Sequence, residues 1–154
     1  MKTSRLDWGT VLAEARDGMK ALEVASHHAG LPDNLLELVK VRVSQINGCA
    51  YCLDMHTKDA RVNGETEQRL YAVSAWREAP FFTDRERAAL AWAEAVTHIG
   101  DGVPSDDLFS DLTAQFTDRE IVGLTSAIIA INSWNRWAIS MRTPAGTYRP
   151  DLAR

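Results

Sequence analysis

Apolar residues in this chain recur every three or four positions, and turn signals cut the pattern into helix-length pieces. The turn signals fall at Gly30-Leu31-Pro32, Asn47-Gly48, Asn63-Gly64, Ala79-Pro80, Gly100 to Pro104 and Thr143-Pro144-Ala145-Gly146. In the second piece Leu35, Val39, Val43 and Ile46 form one stripe, Lys40 and Arg42 point elsewhere, and Asp33 is placed to cap the start. Thr83-Asp84-Arg85-Glu86 matches a capping box and leads into the apolar face Ala89, Leu90, Trp92, Ala93 and Val96. Thr117-Asp118-Arg119-Glu120 repeats that start signal before the run from Ile121, as a reused cap rather than an internal repeat. No stretch sustains period-two alternation with strand composition. The expected fold is therefore all-α: a single compact multi-helix domain over 1–154, of six or seven helices, irregular from Thr143 onward.

A chain of 154 residues is long enough to bury a proper core. The 17 basic and 21 acidic residues leave a net charge of −4, with no basic run or stripe, so nucleic acid is not an expected partner. The first eight residues, Met1 to Trp8, carry no apolar stretch behind their basic residues and do not read as a secretory signal; a cytoplasmic, reducing location is expected. The apolar run Ile121 to Ile139 also holds Asn132, Ser133, Asn135 and Arg136, which are costly in lipid. It reads as a buried or interface helix, and no membrane association is expected.

The two cysteines stand three apart, with a histidine four later, in Cys49-Ala50-Tyr51-Cys52-Leu53-Asp54-Met55-His56. In a reducing compartment a CxxC is more often redox-active or metal-binding than a staple. With Asn47 or Gly48 as N-cap, Cys49 falls in the first turn of a helix, and Cys49, Cys52 and His56 share one face. Helical i,i+3 neighbours have Cβ atoms about 5–6 Å apart and a relaxed disulfide wants about 3.5–4.5 Å, so a bridge here requires some distortion and is easily reduced. A first-turn thiol gains thiolate character from free backbone N–H groups, and one a turn later needs a base, which His56 can supply. Peroxide attack would leave a sulfenic acid that the second cysteine condenses to a disulfide.

Other readings of these residues are plainer. Structural zinc needs four ligands, and Cys49, Cys52 and His56 supply three. A fourth from His27, His28 or His98 is conceivable, but there is no second cysteine pair, and no metal or other cofactor is expected. Haem attachment would need histidine at position 53, which is leucine. Two inert cysteines on a core helix are a third reading. His27, His28 and His98 sit near helix ends, where histidines commonly satisfy carbonyls, and are left out of the site. Trp76, Trp92, Trp134 and Trp137 read as core or subunit contacts.

The run Ser44 to His56 resembles the carboxymuconolactone decarboxylase-like superfamily, specifically its alkyl hydroperoxidase D-type branch. That branch carries a glutamate twelve positions before the first cysteine of a CxxCxxxH, and Glu37 stands twelve before Cys49. The motif region covers roughly residues 33–64; beyond it, Asn132-Ser133-Trp134-Asn135-Arg136 is similar to late-helix segments of relatives. The resemblance implies an all-α fold assembled as a homo-oligomer, a trimer or hexamer. It implies reduction of organic hydroperoxides, with electrons from a dithiol or from a lipoylated or thioredoxin-like protein. Transferred by position, Cys52 takes the peroxide oxygen, Cys49 resolves it, and Glu37 with His56 forms a proton relay. This inverts the ranking by thiol acidity, which favours Cys49. The best-known members have histidine where this chain has Tyr51, which cannot act as a base near neutral pH. Glu37 also has a plain alternative as a surface pair with Lys40 at i+3. Two further functions stay open: decarboxylation of a carboxy-lactone, which needs no thiol pair, and a non-catalytic redox sensor or assembly module.

Overall fold

The computed structural model describes residues 4–150, and they fold as an all-α bundle. Eight α-helices follow in order: α1 (Trp8–Val11), α2 (Ala13–His27), α3 (Asp33–Asn47), α4 (Ala50–Val62), α5 (Glu67–Ala72), α6 (Asp84–Thr97), α7 (Asp106–Thr113) and α8 (Asp118–Met141). Single 3-10 turns lie at Val73–Ala75 and Ile99–Asp101, and no strand occurs among the described residues. The count exceeds the expected six or seven because α1 is a single turn, too short to show a period. Residues 142–150 run irregularly, as the prolines and glycine after Thr143 require.

Helix α3 is the centre of the bundle, packed against α4, α6 and α8. It is not the one-sided helix its apolar stripe implies. Leu35 to Val41, then Val43 and Ser44, are all buried, so the polar residues between the stripe positions enter the interior too. Lys40 is buried in ion pairs, and Arg42 Nε donates to Glu94 at 2.7 Å. Pro32, not Asp33, occupies the N-cap of α3; Asp33 is its first helical residue and pairs with His27 at 3.2 Å.

Both Thr-Asp-Arg-Glu segments form complete capping boxes, at Thr83 for α6 and Thr117 for α8. Ala89, Leu90 and Ala93 of α6 are buried, with Trp92 and Val96 packed at the edge of the core. Helix α8 crosses the bundle and packs on α2, α3, α4, α6 and α7. Where α8 meets α2 it carries Gly123, and a Cβ there would lie 2.1 Å from Ala29 Cβ. No described helix is long and apolar enough to cross a membrane. The polar residues of the α8 run explain why: Asn132 and Asn135 are buried and hydrogen-bonded rather than lipid-facing.

Candidate active site

The corner between α3 and α4 sets the position of the thiols. Gly48 ends α3 in the left-handed conformation (φ 69°), which only glycine adopts at little cost. A buried amide network holds the corner down. Asn47 Nδ2 donates to the Oδ1 atoms of Asn132 and Asn135, both at 2.9 Å, and Asn135 Nδ2 donates to Ser44 Oγ at 3.1 Å. The signal for this network lay in plain view, as two asparagines inside an apolar run.

Cys49 is the N-cap of α4 itself, beyond the Asn47 or Gly48 expected for the cap. Its Sγ accepts from the Cys52 backbone N–H at 3.3 Å. A disulfide joins Cys49 and Cys52. Because Cys49 has extended dihedrals (φ −85°, ψ 96°) and lies outside the helix, the helical i,i+3 spacing does not apply. The Cα atoms are 5.4 Å apart, inside the ordinary disulfide range.

One turn beyond Cys52, buried His56 points Nδ1 at Glu37 Oε2, 2.8 Å away on α3. Glu37 Oε1 accepts from Lys40 Nζ at 3.0 Å, and Lys40 also reaches Glu23 of α2 at 3.4 Å. Burial pushes the Glu37 carboxyl up, but the His56 hydrogen bond and charge, and then the Lys40 ammonium, outweigh it and bring the pKa down to about 2. Burial pushes Lys40 down, and the charges of Glu37 and Glu23 more than reverse it. The carboxylate is thus ionised at neutral pH, and Nδ1 of His56 must be the donor in their bond. The Glu37–Lys40 pair is not the surface pair that i,i+3 spacing also allowed: the side chains are 8% and 6% exposed.

A cavity of about 810 Å³ opens over these groups, and Glu37, Lys40, Tyr51, Cys52 and His56 line it. Cys49 is buried and is not among its lining residues. Part of the lining is aromatic: Trp8, Trp134 and Trp137 belong to it, with Trp8 stacked on Trp137 at 4.3 Å and 12°. Trp137 is therefore a cavity residue, and Trp134 both lines the cavity and packs against the core. Trp76 and Trp92 do sit in or against the core, their indole N–H groups bonded to Glu94 and Thr125. The Trp134 N–H is buried with no acceptor among the described residues, a deficit of about 1–3 kcal/mol that its packing must offset. His27 and His28 also line the cavity, contrary to expectation, while His98 lies elsewhere and pairs with Asp101 at 3.4 Å.

The C-terminal segment completes the rim. Tyr148 donates its hydroxyl to Asp59 at 2.7 Å and accepts from Lys58 Nζ through its carbonyl at 3.1 Å. Donor atoms of Glu37, His56 and Asp59 lie within 4.8 Å of one another, a set able to ligate a cation. The Lys40 ammonium and the Tyr148 hydroxyl already satisfy the two carboxylates without one. Asp59 and Tyr148 had no signal in the sequence, since neither belongs to a spaced motif.

A helical bundle with a CxxC disulfide at a helix start, facing a cavity beside a buried Glu–His pair, defines a dithiol protein of the alkyl hydroperoxidase D-like type. The carboxymuconolactone decarboxylase family model matches residues 11–95, and the chain belongs to that family. The uncharacterized protein YdfG of Bacillus subtilis (strain 168) is 38% identical over 145 residues, covering 94% of this chain and 99% of YdfG. A crystal structure of an Agrobacterium tumefaciens protein of unknown function, with a suggested role as the antioxidant defence protein AhpD, superposes with a TM-score of 0.89. It is 42% identical and covers 95% of this chain and 100% of its own. The alkylhydroperoxidase AhpD core of a peroxidase-related protein from Ralstonia eutropha JMP134 has the same fold. Its TM-score is 0.71 at 24% identity, over 89% of this chain and 75% of its own.

Proposed function

We propose that the protein is a thiol-dependent peroxidase that reduces organic hydroperoxides through a Cys49/Cys52 dithiol–disulfide cycle. The observation that carries this reading is that the disulfide's Cys52 end and the Glu37–His56 pair line one cavity. In the reduced protein His56 takes the Cys52 proton. The thiolate attacks the terminal peroxide oxygen, the O–O bond breaks, and the alkoxide leaves as alcohol with the proton from His56. Cys52 becomes a sulfenic acid. Cys49 then attacks that sulfur, water leaves, and the bridge forms. A dithiol, or a lipoylated or thioredoxin-like protein, restores both thiols by exchange.

Both cysteines are 1% exposed, and the cavity lining is what bears on their order. The N-cap position favours a Cys49 thiolate, but Cys52 is the cysteine on the cavity wall, which supports Cys52 as attacker and Cys49 as resolver. The depressed pKa of Glu37 also divides the relay. A carboxyl held near 2 does not carry a proton at neutral pH; it orients the imidazole, leaving the far ring nitrogen as base.

The test is turnover of cumene or tert-butyl hydroperoxide with a dithiol. Cys52→Ser and Cys49→Ser should each abolish it. After one equivalent of peroxide, mass spectrometry of Cys49→Ser should find one added oxygen on Cys52. Full activity in both variants overturns the mechanism.

A further inference from the structure

The four candidate reactive residues lie within the segment that matches the family model, but the aromatic wall of the cavity does not. Trp8, Trp134 and Trp137 all fall outside residues 11–95. Four separate contacts hold the wall together. The Arg5 backbone N–H donates to Met141 O at 2.8 Å, and the Arg5 guanidinium donates to Ser140 O at 3.1 Å; both clamp the N-terminal segment onto the end of α8. Trp8 then stacks on Trp137 and lies tilted at 5.7 Å from Trp134.

The rest of the lining says what sort of molecule fits. Lys40 is neutralised by Glu37 and Glu23, Asp59 is bonded by Tyr148, and Asp33 is paired with His27; Lys20 also lines the cavity but is exposed, so solvent screens its charge. An ionic ligand would have to compete with these pairs, whereas an uncharged one would not. A volume of about 810 Å³ also far exceeds hydrogen peroxide and suits a drug-sized organic molecule. Indole walls favour flat rings, through offset or edge-on contact.

Building on the peroxidase reading, we infer that the substrate is an uncharged hydroperoxide with an aryl group. The ring lies against the Trp8–Trp134–Trp137 wall while the peroxide faces Cys52. The wall is a specificity surface and takes no part in the electron transfer.

Two measurements test this. The first is the ratio of kcat/KM for cumene hydroperoxide to that for tert-butyl hydroperoxide, in the wild type, Trp137→Ala and Trp137→Phe. Trp137→Ala should lower the ratio about tenfold, the upper range for losing one aromatic contact, and Trp137→Phe should largely restore it. An equal loss on both substrates, or no change in the ratio, overturns the inference. The second uses 2-phenyl-2-propanol, the unreactive alcohol product, titrated against the indole fluorescence of the wild type and of Trp8→Ala. Saturable quenching that Trp8→Ala weakens supports the wall, and absence of quenching overturns it even in an active peroxidase. Binding of the alcohol without turnover of any hydroperoxide would instead sink the peroxidase reading, and with it the identification of the ligand as a hydroperoxide.

Discussion

Glu37 Oε2 accepts a hydrogen bond from His56 Nδ1 at 2.8 Å, joining α3 to α4 between residues nineteen apart in sequence. The bond is buried on both sides, and together with the charge of Lys40 behind it holds the carboxylate ionised. Replacing Glu37 with Gln keeps the shape and removes the charge. Peroxidase kcat/KM should fall by about 10²–10⁴, the range for losing a positioned acid–base group, with KM less affected than kcat. Steady-state kinetics across a peroxide series would check it, and an unchanged kcat would remove Glu37 from the site.

The same residue makes stability depend on acid. Its folded pKa of about 2 lies below its ordinary 4.5, so its contribution is fully present above pH 4.5 and is lost as pH falls toward 2. The size is on the order of 3 kcal/mol. Urea unfolding between pH 6 and pH 2.5 should show this loss in the wild type. Glu37→Gln should be less stable at pH 6 and should show a shallower decline.

Asn135 is fully buried and bonds both Asn47 and Ser44. Asn135→Ala leaves those two partners short of a bond inside the core and opens a small cavity. The cost should be about 2–4 kcal/mol, read from chemical denaturation. Because the network holds the α3–α4 corner, the variant should also lose peroxidase activity beyond its loss of folded protein.

Gly123→Ala puts a methyl group 2.1 Å from Ala29 Cβ, and neither side is a flexible chain end. Helices α2 and α8 must separate, at about 1–3 kcal/mol or more. A fall in Tm of several degrees is expected, and a neutral result would mean that α2 moves freely. The double variant with Ala29→Gly should recover part of the loss.

Val122 and Ile129 lie two turns apart on α8 and are 66% and 47% exposed. An outward apolar strip of this kind fits the homo-oligomer, trimer or hexamer, that the family resemblance implies. Ile129→Glu should shift the mass measured by light scattering toward the monomer. An unchanged mass would place the subunit contact elsewhere.

Much of this protein can be read from local order. Both Thr-Asp-Arg-Glu helix starts, the turn residues and the absence of alternation determine an all-helical chain, because capping and periodicity act over a few residues. The Glu37-Cys49-Cys52-His56 spacing is likewise a property of the string. What the string does not carry is how helices shield one another. Lys40 reads as solvent-facing because its helix has an apolar stripe on another side. It is buried because α2 lays Glu23 over it, and only packing across sequence-distant helices makes that possible. Cys49 reads as helical, yet the left-handed turn at Gly48 leaves it as the cap. The aromatic wall is the clearest case: Trp8 and Trp137 are 129 positions apart and meet only because the first segment bonds to the end of α8. Short-range propensity is encoded residue by residue, whereas burial, the charge state of Glu37 and the cavity arise from contacts between distant segments that form only once the bundle has closed.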